Sequence, residues 1–183
     1  MLARILVALA TLITPTMATP VLAQDVLVVG GGQDDWRDHV ADVLLDHDID
    51  AVAGPSFWEL DGTTDFDAFD AVVILGTDWT MDMPAAGQED LHEYVRAGGG
   101  LVTAAFLAYT VVGAEDTPLA ELLPADFAGA DDLSTIMYIE VEADPVLNDG
   151  VPDEIDFAAE GFNGSNTESD LVRKSGATTY YNG

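Results

Sequence analysis

The sequence predicts an α/β fold in which a parallel sheet is covered on both faces by helices, giving three layers. Short β-branched runs recur with almost no polar alternation, glycines close them, and segments of helical apolar spacing lie between them. A strand covered on both faces must be apolar on both sides, so its sequence does not alternate. Strands that alternate with helices return by right-handed crossovers, which keeps neighbouring strands parallel.

Asp25-Val26-Leu27-Val28-Val29 is the first such run, ended by Gly30, Gly31 and Gly32. From Asp34, the residues Trp36, Val40, Val43 and Leu44 recur at i, i+4, i+7 and i+8, which places Trp36 on the apolar face of a helix. Asp34 and Asp35 stand where the positive end of that helix favours acids. A second strand is expected over Ile49 to Ala53, closed by Gly54 and Pro55, and a third over Ala71 to Leu75 before Gly76. Between them lies an aromatic and acidic loop. Pro84 reads as a first-turn proline behind Asp82, opening a helix marked by Leu91, Tyr94 and Val95 and stopped at Gly98-Gly99-Gly100. Leu101 to Phe106 is the fourth expected strand. Beyond Thr117, Pro118 to Leu123 reads as a short helix and Thr135 to Val141 as a strand. The tail from Asn163 is rich in Gly, Ser, Asn and Thr and reads as poorly ordered or truncated, with a strand beginning at Tyr180-Tyr181.

Residues 1–23 read as a secretory signal peptide. Arg4 supplies the positive start, Ile5 to Ile13 the apolar run, and Val21 and Ala23 at minus three and minus one fit a cut ahead of Gln24, with a cut after Ala18 as the weaker alternative. The run is interrupted by Thr14 and Pro15, well short of the roughly 20 apolar residues that an anchor requires. The expectation is one mature domain over residues 24–183, periplasmic or secreted, with no membrane anchor. With no cysteine, the chain offers neither a disulfide nor an N-terminal thiol for a lipid, so stability must come from a packed core.

Five basic residues stand against 34 acidic ones, for a net charge of −29. Such a surface repels phosphate backbones and anionic membranes, which excludes nucleic acid as a partner. Dense like charge suits salty surroundings, where screening shortens its reach and an acidic coat keeps the protein dispersed. Dedicated calcium binding is the alternative source of such a composition.

Three stretches carry a family resemblance: Ala68-Phe69-Asp70-Ala71-Val72-Val73-Ile74-Leu75, then Gln88 to Val95, then Arg96-Ala97-Gly98-Gly99-Gly100-Leu101-Val102. Together they resemble the trehalose-utilisation (ThuA-like) branch of the class I glutamine amidotransferase-like superfamily. There a strand, a helix ending in V-x-x-G-G-G and a glycine-led strand follow in that order. Asp144-Pro145-Val146-Leu147 and Gly150-Val151-Pro152 resemble that family's H-P-I and G-L-P segment, so the likeness spans Asp25 to Ile155. It implies a flavodoxin-like three-layer sheet and further strands towards the C-terminus. The departures fall on chemistry. The amidotransferase nucleophile is a cysteine after the fourth strand, and this chain has none; the ThuA-like pattern places a histidine near there, where this chain has Thr103-Ala104-Ala105-Phe106-Leu107.

Tests for other chemistry fail in the same direction. Gly54-Pro55-Ser56-Phe57-Trp58 lacks the final glycine of a serine nucleophile elbow. His39, His47 and His92 are scattered, and without cysteine they form no zinc set. Asp46-His47-Asp48-Ile49-Asp50 opens like a calcium loop but has Ala51 at the turn and Phe57 at the closing acid. Asp61, Asp65 and Asp67 are the better calcium candidates. Gly30-Gly31-Gly32 could cradle an anion at a helix start, but Asp34 and Asp35 occupy that positive end. No cofactor is expected.

Ligands of open α/β sheets bind beyond the carboxyl ends of the strands. Those ends supply the candidate site: Gly31 and Gly32; Gly76, Thr77, Asp78 and Trp79; Phe106 and Tyr109, with Trp79 and Tyr109 as apolar walls and Asp78 as the polar contact. The sequence therefore points to an exported, non-catalytic ThuA-like domain that binds a small polar ligand, such as a carbohydrate, or a protein partner. One alternative is a carbohydrate-active enzyme that uses Asp78 and Glu160 as acid and base. The other is an acidic structural domain stabilised by salt or calcium.

Overall fold

The computed structural model describes residues 25–31, 34–75, 82–104, 107–108, 116–132, 136–157 and 167–182. The expected signal peptide lies outside them. Strands β1 (Val26–Gly30), β2 (Ala51–Ser56), β3 (Ala71–Ile74) and β4 (Gly100–Thr103) form one sheet in the order β2-β1-β3-β4. Every neighbouring pair is parallel, with Val28 level with Ala53 on one side and Val73 on the other. This is the flavodoxin-like order, and all five residues of β1 are buried at its centre.

The two faces of β1 explain its unbroken apolar sequence. Val26 and Val28 pack with Ala41 and Ala51 under helix α1 (Asp34–Asp46). Leu27 and Val29 face the larger core, formed with Phe57, Leu60, Phe66, Val72, Ile74 and Leu91. That side is covered by α2 (Ala85–Ala97), α3 (Pro118–Leu122) and two 3-10 turns, Phe57–Glu59 and Phe66–Ala68, which structure the aromatic loop between β2 and β3.

Four details differ from the sequence reading. Trp36 is 66% exposed and Val43 40%, so neither faces the sheet. The covered stripe of α1 is Arg37, Val40, Ala41 and Leu44, with Ala41 buried in one cluster with Val26 and Val28. Pro84 is the N-cap of α2, at φ −54° and ψ 144°, so the helix begins one residue later than expected and Asp82 does not cap it. Strand β2 runs on through Gly54-Pro55 to Ser56, with a register shift opposite β1 between Val28 and Gly30. It is an edge strand, where a missing ladder donor is tolerated. Strand β4 ends at Thr103, short of the expected Phe106, and the Ala104 N–H still donates to Ile74 O at 3.0 Å. Phe106 lies outside the described residues.

Helix α2 ends as the sequence implied. Gly98 takes φ 111°, the left-handed conformation of a helix C-cap, and its N–H reaches Val95 O at 3.0 Å.

The last third is antiparallel. Strand β5 (Ala125–Asp132) pairs with β8 (Thr167–Arg173), and β6 (Ile136–Glu140) lies between β7 (Glu154–Phe157) and β9 (Tyr181–Asn182). Phe127 packs onto the larger core. Lys174 fastens this ribbon to α3: its Nζ donates to Ala120 O at 2.6 Å and pairs with Asp126 at 3.2 Å, while its N–H reaches Pro124 O at 2.9 Å.

Candidate functional site

The sheet order places a switch point between β1 and β3. Their carboxyl ends are adjacent, Val29 level with Ile74, and the Leu75 N–H lies 3.4 Å from Val29 O. From β1 the chain leaves to α1 on one face, and from β3 to α2 on the other. A crevice is expected where adjacent strands part in this way. Gly31 stands on its edge, half-buried in the bend after β1. Gly32, Gly76, Thr77, Asp78, Trp79, Phe106 and Tyr109, the other candidates, lie outside the described residues, as does Glu160.

One rim residue was not picked out from the sequence. The Arg37 guanidinium donates from Nη1 to Gly54 O at 2.8 Å and from Nε to Asp38 Oδ1 at 3.0 Å. Its stem lies over Gly30, where an added Cβ would stand 3.4 Å from Arg37 Cδ. A cation in the first turn of a helix opposes the helix dipole. The Gly54 carbonyl offsets that cost and ties α1 to the bulged end of β2. The available signal was a lone basic residue in a helix otherwise rich in acids.

A second concavity lies at the opposite end of the sheet. The turn at Phe66–Ala68 and the last turns of α2 come just before β3 and β4, and between them is a groove of about 420 Å³. Asp65 and Asp67 form one wall and Asp90 and Glu93 the other, over Phe66 and Tyr94. The two rings are 5.8 Å apart, and the Tyr94 hydroxyl donates to Phe69 O at 3.2 Å. Burial raises the Tyr94 phenol above its ordinary value, and Asp70 and Asp67 push it the same way.

The calcium candidates divide. Asp61 accepts from the Thr63 hydroxyl at 2.6 Å and its N–H at 3.2 Å, and the hydroxyl above all holds the carboxyl below its ordinary range. Asp65 and Asp67 line the groove. Among the described residues, no three His, Asp or Glu side chains gather as metal ligands would. His39 and His47 are exposed; His92 is partly covered and lies 3.1 Å from Glu121, joining α2 to α3. Among the described residues, no helix is long and apolar enough to cross a membrane.

No family model matches the sequence, and no curated protein matches it. The fold is similar to that of a solved structure, a protein of Bacteroides uniformis assigned as ThuA-like, with a TM-score of 0.56 and 12% sequence identity. The match covers 86% of this chain and 65% of that one, so this chain spans about two-thirds of its structural neighbour. Parallel order, helices on both faces and this likeness agree: the chain has a ThuA-like, flavodoxin-like α/β fold.

Proposed function

We propose that this chain is an exported, non-catalytic ThuA-like module that binds a small neutral polar ligand, carbohydrate being the first class to test, in the crevice between the carboxyl ends of β1 and β3. The observation that carries the reading is the adjacency of those two ends, with helices leaving to opposite faces. The chain's composition supports binding over thiol catalysis, since it contains no cysteine. Its charge supports a neutral ligand, because an anion would meet a surface of net charge −29. Trp79 and Tyr109 would supply apolar walls and Asp78 a hydrogen-bond acceptor. Export rests on the leader-like residues 1–23.

Calorimetric titration of the mature chain with neutral mono- and disaccharides tests this. The expected result is saturable binding that Trp79→Ala weakens at least about tenfold, or about 1.4 kcal/mol. Absence of saturable heat across the panel would remove the carbohydrate reading. Turnover of a glycoside that Asp78→Asn abolishes would replace it with the carboxylate enzyme.

A further inference from the structure

The two edges of the central sheet are finished differently. Strand β2 carries devices that keep an edge from pairing: Pro55 has no N–H to donate, the ladder shifts register between Val28 and Gly30, and exposed Asp48 and Asp50 precede it. Strand β4, at the other edge, carries none of them. Its register with β3 is unbroken, and Gly100-Leu101-Val102-Thr103 holds neither proline nor charge. Among the described residues no strand pairs with its outer side, and Val102 is 57% exposed. Alternate residues of a strand turn their N–H and C=O groups to opposite sides. The Gly100 N–H donates to Asp70 O and the Ala104 N–H to Ile74 O, each at 3.0 Å, so Leu101 and Thr103 turn theirs to the open side.

The surrounding charge decides what fits there. The chain holds 34 acidic residues, yet Tyr94 to Ala114 contains none, and the one charged residue in that run is Arg96, exposed at the end of α2. Part of the run is core, but Arg96, Ala97, Gly98 and Val102 are exposed, so burial alone does not account for the missing acids. A basic partner would be drawn to the acidic surface elsewhere. An acid-free strip on a chain of net charge −29 suits a partner that is itself acidic. A second copy of this chain meets that description, and a strand edge can meet its own copy across a two-fold axis.

We propose that β4 pairs antiparallel with β4 of a second copy about a two-fold axis at Val102, joining two four-stranded sheets into one continuous sheet. That register sets Leu101 opposite Thr103 of the second copy, where outward N–H and C=O groups bond in both directions, and sets Val102 opposite its own counterpart. The valine pair is then the non-hydrogen-bonded one, in which side chains stand closest. This pairing uses nothing of the crevice between β1 and β3 and needs no ligand.

Single-cysteine crosslinking tests the register, because the chain has no cysteine of its own. Opposed residues of a non-hydrogen-bonded pair lie about 4.5 Å apart at Cα, within disulfide reach. Under mild oxidation in 1 M sodium chloride, the mature Val102→Cys chain should convert mostly to a covalent dimer. Val52→Cys, similarly exposed on the β2 edge, should stay monomeric. Sedimentation of the unmodified mature chain should show a monomer–dimer equilibrium that tightens at least about tenfold between 0.1 and 1 M salt, as screening relieves repulsion between two acidic copies. Val102→Lys, which sets like charges opposite each other, should weaken it at least about tenfold. A monomer at every concentration and salt, crosslinking no faster at Val102 than at Val52, or a dimer indifferent to Val102→Lys would overturn the proposal. Should Val102→Lys not fold, the two cysteine variants decide.

Discussion

Gly87 lies so close beneath Leu60 that a Cβ added to it would stand 1.8 Å from the Leu60 carbonyl oxygen. The contact seats the first half of α2 on the chain between β2 and β3, above a core in which Leu60 is fully buried. Alanine at an exposed helix site would gain about 1 kcal/mol over glycine. Here the clash is with backbone and the helix must move, so the overpacking cost wins. Gly87→Ala should lose about 2 kcal/mol or more in urea unfolding; an unchanged or raised midpoint would contradict the packing of α2.

Arg37→Met should cost about 2 kcal/mol by leaving the Gly54 carbonyl without its charged donor. The loss should be larger than that for Trp36→Ala, despite the size of the indole, since Trp36 is 66% exposed. Parallel unfolding curves of the two variants decide it. A greater loss at Trp36 would restore the apolar face first expected for α1.

These two positions show what was legible. Strands β1, β3 and β4 could be found because burial on both faces writes itself into the sequence as runs such as Val26-Leu27-Val28-Val29. The rotation of α1 could not, because an apolar pattern marks Trp36 as a core residue, whereas the position that meets the sheet uses the stem of Arg37. Strands β5 and β8 escaped notice for another reason: Ala-Asp-Phe-Ala-Gly-Ala-Asp-Asp over 125–132 is not a strand by composition, and it pairs with residues some forty positions away. Of the candidate site, Gly31 alone falls among the described residues, in the bend after β1. The groove of Asp65, Asp67, Asp90 and Glu93 could not be read from the sequence, since a loop and a helix combine to make it. Its faint signal was the spacing of Asp90, Glu93, Tyr94 and Ala97 on one side of α2.

The Asp144 carboxylate accepts the N–H groups of Val146 at 2.8 Å and Leu147 at 2.9 Å, and these bonds, Leu147 first, hold it below its ordinary value. A depressed folded value contributes stability that is present above the unfolded value of about 3.9 and is lost as pH falls through the folded one. A carboxyl-carbon NMR titration should therefore place Asp144 below 3.9, and Asp144→Ala should expose the amides of Val146 and Leu147 to exchange. A midpoint at or above that value would contradict the turn.

Tyr94 predicts the alkaline limit. Its raised folded value means a contribution fully present below the unfolded value of about 10 and lost as pH rises through the folded one. Tyr94→Phe should remove this alkaline component while costing about 1 kcal/mol at neutral pH through the bond to Phe69 O. Identical alkaline unfolding in the variant would contradict it.

The proposed crevice is tested most directly by mapping amide shifts on the isotope-labelled mature chain during titration with a neutral disaccharide panel. Saturable shifts should concentrate at Gly30, Gly31 and Leu75, where β1 and β3 part. Shifts confined to the groove of Asp67 and Glu93, or none at any saccharide, would contradict a ligand site at the carboxyl ends of this sheet.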